Sequence, residues 1–390
     1  MLDEPTSQLD PVAGDELIGL LRRANDDGDT TIVLAEHRLE RCLHAADRVI
    51  AIDRGQIVCD GAPAEFLQWA GRAAPRLQTP GAQLLQALEL APVAGVKRAR
   101  AALRAGGLLP DAGADHPGPA YERSAGDGRA RPRRRGRSGA GRAGSVSALS
   151  FDGVWHELRS GPALLRGVSL AIAPGARVAL MGHNGAGKST LLRHAAGLMK
   201  PTRGRVSSSG RVALLLQNPV DYLVHERVAD EAPPSALAMV GLAGPEFADR
   251  HPRELSGGEK QRLALAVVLG DESHRPAVLC LDEPTRGMDR GHKARLARLL
   301  IEIDAAVLVA THDAEFAAAF ADRVVLLAEG ASIADGTAAN VLTGGTYFAT
   351  ETARILGGAG GALTPADGAA LLQRTAGRVG ALSAGYEAAL

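Results

Sequence analysis

The chain has 390 residues, with 44 Lys plus Arg against 44 Asp plus Glu, so its charge points to no particular polyanionic partner. Apolar residues make up 46 % and aromatic residues only 3 %, so a large core has to be built from Leu, Val, Ile and Ala. Cys42, Cys59 and Cys280 have no metal-ligand spacing and cannot all pair, and no apolar run approaches the roughly 20 residues of a membrane helix. The start, Met1-Leu2-Asp3-Glu4, shows neither the basic nor the apolar region of a signal peptide. These features predict reduced thiols and, at most, peripheral membrane contact.

The first segment repeats later in the chain. Leu2-Asp3-Glu4-Pro5-Thr6 matches Leu281-Asp282-Glu283-Pro284-Thr285 at an offset of 279 residues. Glu36-His37 matches Thr311-His312, and Ala46-Asp47-Arg48-Val49 matches Ala321-Asp322-Arg323-Val324, both at an offset of 275. The turn Asn25-Asp26-Asp27-Gly28-Asp29 is the natural place for the four extra residues. Residues 1–68 are therefore expected to be the back portion of a duplicated domain whose front is missing. Residues 69–147, rich in Ala, Gly, Pro and Arg, read as a linker without regular structure apart from a short helix near Gln83 to Leu90. The arginine run from Arg129 to Arg137 reads as a solvated part of it.

A second, complete copy is expected over residues 148–345. Arg177-Val178-Ala179-Leu180-Met181 reads as a buried strand feeding Gly182-His183-Asn184-Gly185-Ala186-Gly187-Lys188-Ser189, and Thr190-Leu191-Leu192 continue into a helix. Strand, glycine loop and helix in that order form a phosphate-binding loop. Its glycines let backbone N–H groups face phosphate, Lys188 adds a point charge, and Ser189 offers a hydroxyl to Mg²⁺. Only five of the 44 basic residues are lysines, so a lysine here stands out. Val278-Leu279-Cys280-Leu281 reads as a second buried strand ending in Asp282-Glu283. Ala306-Val307-Leu308-Val309-Ala310 reads as a third, followed by Thr311-His312. Leu255-Ser256-Gly257-Gly258-Glu259 precedes a helix and makes a further anion-binding helix start. Residues 346–390 form a tail, in which Thr364-Pro365-Ala366-Asp367 reads as a helix start.

A phosphate loop, the LSGGE string and Leu281-Asp282-Glu283-Pro284 in this order make residues 148 to about 345 resemble an ABC ATPase. The implied fold class is α/β: a P-loop NTPase with a RecA-like core plus antiparallel β and helical subdomains, in tandem duplication with an incomplete first copy. The resemblance implies ATP and Mg²⁺ as ligands. Gly182, His183, Asn184, Gly185, Ala186, Gly187, Lys188, Ser189 and Thr190 would bind nucleotide, and Trp155 would stack on adenine. Ser189, Gln217 and Asp282 would serve Mg²⁺, with Glu283, His312 and Gln217 catalytic. Ser256, Gly257, Gly258 and Asp289 would close over nucleotide held by a partner domain, so this chain alone would hold no complete composite site. Asp3, Glu4, Asp10 and His37 would be the first-copy counterparts.

Thr6-Ser7-Gln8-Leu9-Asp10-Pro11, Glu36-His37-Arg38-Leu39-Glu40, Gln217-Asn218-Pro219 and Pro284-Thr285-Arg286-Gly287-Met288-Asp289 resemble the fused ATPases of energy-coupling-factor transporters. So does the tail from Gly345 to Asp367. That likeness implies a subunit on the cytoplasmic face of the membrane, driving import of a vitamin, vitamin precursor or metal ion. Its partners would be a transmembrane scaffold and a substrate-binding membrane protein, with no nucleic acid. Asp221 to Pro234 would meet the scaffold. Gln217 and Leu255 lie only 38 positions apart, closer than the resemblance implies, and Pro233-Pro234 marks the shortening. The alternatives are a soluble tandem ATPase acting on ribosomes or nucleic acid, for which this helix-breaking linker is ill suited, and an inactive gene fragment.

Overall fold

Apolar runs without alternation build strands buried on both faces, and that pattern positions everything below. The computed structural model describes residues 1–6, 9–28, 30–109, 147–159, 161–270, 275–345 and 347–375. The chain divides into two compact units, Met1–Arg123 with Ala339–Leu390, and Ser124–Ala338.

In the first unit, β1 (Leu2–Asp3) pairs in parallel with β2 (Leu34–Ala35), and the helix Pro11–Gly28 lies between them in sequence. Asp10 caps that helix by accepting from the Ala13 N–H at 3.1 Å. β3 (Val49–Asp53) and β4 (Gln56–Gly61) form an antiparallel hairpin. Its turn residues Arg54 and Gly55 have φ of +49° and +76°, the left-handed pair that a tight hairpin turn requires. Helices follow at Pro63–Ala73, Pro80–Ala87 and Val96–Ala105.

These helices correct the reading of residues 69–147 as a linker without regular structure, as far as residue 109. Thr79 caps the second of them, accepting from the Ala82 N–H at 3.2 Å. Leu84, Leu85, Ala99 and Leu103 bury one face each against Ile355, Leu356, Ala362, Ala369 and Leu372 of the tail. The tail contributes the helix Glu351–Leu356, capped by Thr350, and a helix over 365–375, begun by Thr364 and Asp367 as the sequence predicts. Glu351 also accepts from the Gly81 N–H at 2.9 Å. Composition was misleading because short helices of Ala and Arg carry few large apolar residues, and their partners lie some 250 residues away. The arginine run and residues 376–390 fall outside the described residues.

The second unit begins with an antiparallel sheet of β5 (Leu149–Glu157), β6 (Ala163–Ile172) and β8 (Arg203–Ser208), in the order β6-β5-β8. Its main sheet contains β7 (Arg177–Met181), β9 (Val212–Leu215), β10 (Val278–Asp282), β11 (Ala306–Ala310), β12 (Arg323–Ala328) and β13 (Ala331–Thr337). The order is β13-β12-β7-β11-β10-β9, parallel except for β13. Helices Lys188–Ala195, Gly257–Leu269, Arg290–Glu302 and Ala314–Phe320 connect the strands. Short helices at Val228–Glu231, Pro234–Met239 and Pro245–Ala248 occupy the stretch before the LSGGE string, with Pro234 opening the middle one. The sheet ends at Thr337, and the unit boundary at Ala338 lies ahead of the expected residue 345.

Leu103 is fully buried in the helical cluster of the first unit. Leu103→Ala should cost about 2–5 kcal/mol in chemical denaturation, as cavity-forming core truncations do. A linker residue would show no change.

Candidate functional site

β7 leads straight into the glycine loop, and the helix Lys188–Ala195 starts where the loop ends. Gly182 has φ +152°, and a Cβ there would strike the Leu327 carbonyl oxygen. Gly187 has φ +103°, and its Cβ would lie 2.8 Å from Leu165 Cδ2 and 2.9 Å from the Leu164 carbonyl. Glycine is therefore required at both positions by backbone angle and by space. Gly187 also offers no side chain to cap the helix, which leaves its first N–H groups to a ligand. Lys188 is buried, and its ammonium donates to the carbonyls of Gly182 at 2.7 Å and His183 at 3.1 Å. The loop thus curls around the cation, with Asn184, Gly185 and Ala186 at its crest and Ser189 and Thr190 in the helix's first turn.

The carboxylates arrive from the neighbouring strands. Asp282 closes β10 almost fully buried. Burial, and then the charge of Glu283, push its carboxyl above the usual carboxylate range, while the Ser189 hydroxyl, Lys188 and Arg193 pull the other way. A divalent cation beside Ser189 and Asp282 would relieve that penalty, so these residues fit Mg²⁺. No cluster of three or more His, Cys, Asp or Glu suited to a metal occurs among the described residues. Cys280, next to them, is inert: burial pushes its thiol up to about 12.

Glu283 takes φ +48°, a strained angle for a non-glycine residue, with its N–H donating to the Ala310 carbonyl at 2.9 Å. Its Oε1 lies 2.9 Å from His312 Nδ1, and both side chains are largely buried. His312 Nε2 is buried and has no hydrogen-bond partner in the structure. An orphaned buried ring nitrogen beside a carboxylate is a place for a polar ligand atom. Gln217 lies exposed just beyond β9, at the same strand edge. Tyr222 bridges the turn, accepting from the Leu216 N–H at 3.0 Å and donating to the Leu214 carbonyl at 2.9 Å.

Ser256 caps the helix Gly257–Leu269 in a reciprocal arrangement. The Glu259 N–H donates to Ser256 Oγ at 3.3 Å, and the Ser256 N–H donates to Glu259 Oε2 at 2.8 Å. A Cβ on Gly257 would meet nothing within 4 Å, and one on Gly258 only the His292 ring, at 3.6 Å. This helix start is open to an approaching anion. Asp289 caps the helix Arg290–Glu302 through the His292 N–H at 2.8 Å and pairs with His292 Nδ1 at 2.9 Å. Burial raises its carboxyl, but the His292 backbone and ring outweigh that and hold it below the usual range.

Trp155 is half-buried on β5, in register with Arg166 of β6 on one side and Arg203 of β8 on the other. The Arg203 guanidinium lies 4.2 Å from its ring centroid and is held by Glu157 at 2.5 Å. The sequence reading missed Arg203, and it also missed a histidine pair behind the loop. His194 Nε2 lies 3.1 Å from His156 Nδ1, and His194 Nδ1 lies 2.9 Å from the Met199 carbonyl. No local spacing announces that pair, since its members are 38 residues apart on different elements.

The first-copy residues form a similar but barer constellation. Glu4 has φ +42°, its N–H donates to the Ala35 carbonyl at 2.9 Å, and its Oε1 lies 2.9 Å from His37 Nε2. Asp3 ends β1 exposed, and Asp10 caps a helix as Asp289 does. No phosphate loop joins them among the described residues of that unit.

A family profile described as ABC transporter matches residues 165–286. A Streptomyces coelicolor protein named by likeness as an ABC transporter ATP-binding protein is 38 % identical over 388 residues, 91 % of this chain and 68 % of its own length. A similarly named Methanosarcina acetivorans protein is 31 % identical over 385 residues, 88 % of this chain and 60 % of its own. This chain thus spans roughly two thirds of such relatives' length. Among solved structures, CbiO1 of Clostridium perfringens, part of the ABC transporter complex CbiONQ, is 27 % identical at a TM-score of 0.46, covering 50 % of this chain and 90 % of that one.

Gly187→Ala should lower the melting temperature and weaken nucleotide binding at least tenfold by calorimetry, because the methyl collides with β6. His194 is also testable. Burial, opposed by its Met199 hydrogen bond and aided by His156, holds its ring below the ordinary histidine value. The folded state therefore favours the neutral ring, and stability should fall as pH drops from about 6.5 through the lowered value. His194→Gln should flatten that acid limb in pH-dependent melting curves.

Proposed function

Because this chain belongs to the ATP-binding proteins of ABC transporters, we propose that its second unit is the engine of an importer of the energy-coupling-factor type. An ABC cassette binds ATP with Mg²⁺ and hydrolyses it. The observation that carries the reading is the convergence of Lys188, Asp282, Glu283 and His312 at the C-terminal ends of β7, β10 and β11, adjacent strands of one sheet.

In this reading the glycine loop and Lys188 hold the triphosphate, exchanging part of the lysine's two carbonyl contacts for phosphate oxygens. Ser189, Asp282 and Gln217 would hold Mg²⁺, which would supply positive charge against the phosphates. Glu283 accepts a hydrogen bond from the attacking water and orients it, and its strained backbone aims the carboxylate. His312 fixes Glu283 through Nδ1 and offers Nε2 to the terminal phosphate. Trp155, backed by Arg203, stacks on the adenine. Ser256, Gly257 and Gly258 close over nucleotide held by another cassette, with Asp289 anchoring the adjacent helix. Turnover then needs a second cassette, because the phosphate loop and the LSGGE string serve different nucleotides.

The importer type and the membrane partners rest on the strings Gln217-Asn218-Pro219 and Pro284-Thr285-Arg286-Gly287-Met288-Asp289 and on their first-copy equivalents. No helix among the described residues is long and apolar enough to cross a membrane. In this reading, transport depends on separate transmembrane scaffold and substrate-binding subunits. The stretch from Asp221 to Pro234, with Val224 79 % exposed, offers them a surface.

Lys188→Ala should abolish ATP binding in calorimetry. Glu283→Gln should retain binding while turnover falls at least a hundredfold, and turnover per chain of the parent should rise with protein concentration. Concentration-independent turnover by a monomer would overturn the composite-site reading. Uptake of labelled vitamins or of cobalt and nickel ions into cells should require Lys188, and uptake indifferent to Lys188→Ala would overturn the importer reading.

A further inference from the structure

His312 has one task for each ring nitrogen, so its ring has to be held in one orientation. Nδ1 meets Glu283 Oε1 at 2.9 Å, and the buried Nε2 is left for a ligand atom. A ring that turns over exchanges the two. The carboxylate alone does not dictate the choice, because Glu4 Oε1 meets Nε2 of His37 at the same 2.9 Å.

The chain is pinned on both sides of His312. Before it, the Thr311 N–H donates to the Leu180 carbonyl at 3.0 Å. After it, the Asp313 N–H donates to Thr311 Oγ1 at 3.1 Å. Asp313 Oδ1 accepts from the Phe316 N–H at 3.0 Å and caps the helix Ala314–Phe320. Its Oδ2 accepts from Lys293 Nζ at 2.6 Å. Asp313 is buried and Lys293 half-buried, so salt and water screen their attraction little. Lys293 lies at the start of the helix Arg290–Glu302, where its N–H donates to the Asp289 carbonyl at 3.0 Å. The ion pair therefore closes a ring. It runs along the chain from Glu283 to Lys293, across to Asp313, back one residue to His312, and across to Glu283.

The residue types fit that task. A single ammonium suits a carboxylate whose other oxygen is committed to a helix cap, whereas the guanidinium fork of arginine would compete for both oxygens. In a chain whose basic residues are nearly all arginine, a lysine at this position is informative. Nor do the local folds require the pair. The repeat positions equivalent to Lys293 and Asp313, at offsets of 279 and 275, are Gly14 and Arg38, which cannot form it. Asp10 still caps its helix and Glu4 still meets His37. What differs is the nitrogen that the histidine presents.

We propose that Lys293 is a positioning residue for ATP hydrolysis, whose ion pair with Asp313 fixes the nitrogen that His312 turns to Glu283. The inference rests on the roles given to Glu283 and His312 in the cassette reading and adds the group that holds them in register.

The test removes both charges from the full chain, with Lys293→Met and Asp313→Asn together. No buried charge is then left unpaired, and the asparagine oxygen can still accept from the Phe316 N–H. Lys188, the glycine loop and Trp155 lie on other elements, so ATP affinity by calorimetry should stay within about twofold. Turnover at saturating ATP should fall at least tenfold, as small misplacements of reacting groups do. Long-range proton–nitrogen spectra of ¹⁵N-histidine chains, in mildly alkaline buffer without nucleotide, read the ring directly. His312, assigned by its loss in His312→Gln, should carry its proton on Nδ1 in the parent and shift to Nε2 in the double variant. Turnover within twofold of the parent, or a proton that stays on Nδ1, would overturn the proposal. If the double variant does not fold, Asp313→Asn alone is read by the same spectrum with the same two outcomes. Failure of the cassette reading looks different: Glu283→Gln would hydrolyse ATP like the parent, while the His312 spectrum would still decide what the ion pair does.

Discussion

The central strand β7 is the constraint on which the rest depends. Val178, Ala179, Leu180 and Met181 are fully buried, and the strand is hydrogen-bonded to β11 on one side and β12 on the other. Its register with β11 continues directly into the site, since the Thr311 N–H donates to the Leu180 carbonyl at 3.0 Å. That bond places His312 one residue beyond, level with the start of the glycine loop. β10 is aligned through β11, so Asp282 and Glu283 inherit the same level. A one-residue slip of β7 would turn its side chains to the opposite faces and separate Lys188 from its carboxylates. The geometry of this candidate site is a matter of strand register before it is a matter of side chains.

Held in that frame, Glu283 adopts a left-handed backbone angle that costs on the order of 1–3 kcal/mol for a residue with a side chain. Its N–H bond to Ala310 and its side-chain bond to His312 hold it there. Glu4 shows the same angle and the same backbone bond with a histidine beside it. The angle therefore goes with the strand-end geometry of the Asp-Glu-Pro-Thr segment in both copies. The histidine does respond to the surroundings. His312 uses Nδ1 and leaves Nε2 buried, whereas His37 uses Nε2 and is 55 % exposed.

Most of the site was legible because its signals are local. A buried strand, glycines at fixed offsets and a helix start are contiguous in the chain, and so are Ser256 and Glu259, whose reciprocal cap is a spacing of three. Asp10 and Asp289 were legible as equivalent positions of the repeat, and the structure shows each capping a helix. What escaped notice depends on partners far away in sequence. The Arg203 stack on Trp155, the His156–His194 pair and the half-buried Lys293–Asp313 ion pair at 2.6 Å each join separate elements. No propensity or period along one segment encodes them.

The helices over 80–105 are the clearest case of long-range dependence. Their apolar faces are too narrow to read as amphipathic alone, yet each matches a tail helix. Thr79 and Thr350 cap alike, Leu84-Leu85 corresponds to Ile355-Leu356, and both pairs lie in one core. The duplication thus runs through the supposed linker, and its two end segments bury each other's faces. Neither pair of short helices has enough apolar surface to offset the entropy of ordering itself, so each requires the other. Physical mutual dependence of this kind places the end of the chain with its beginning, and the second unit forms its sheet from the residues between them.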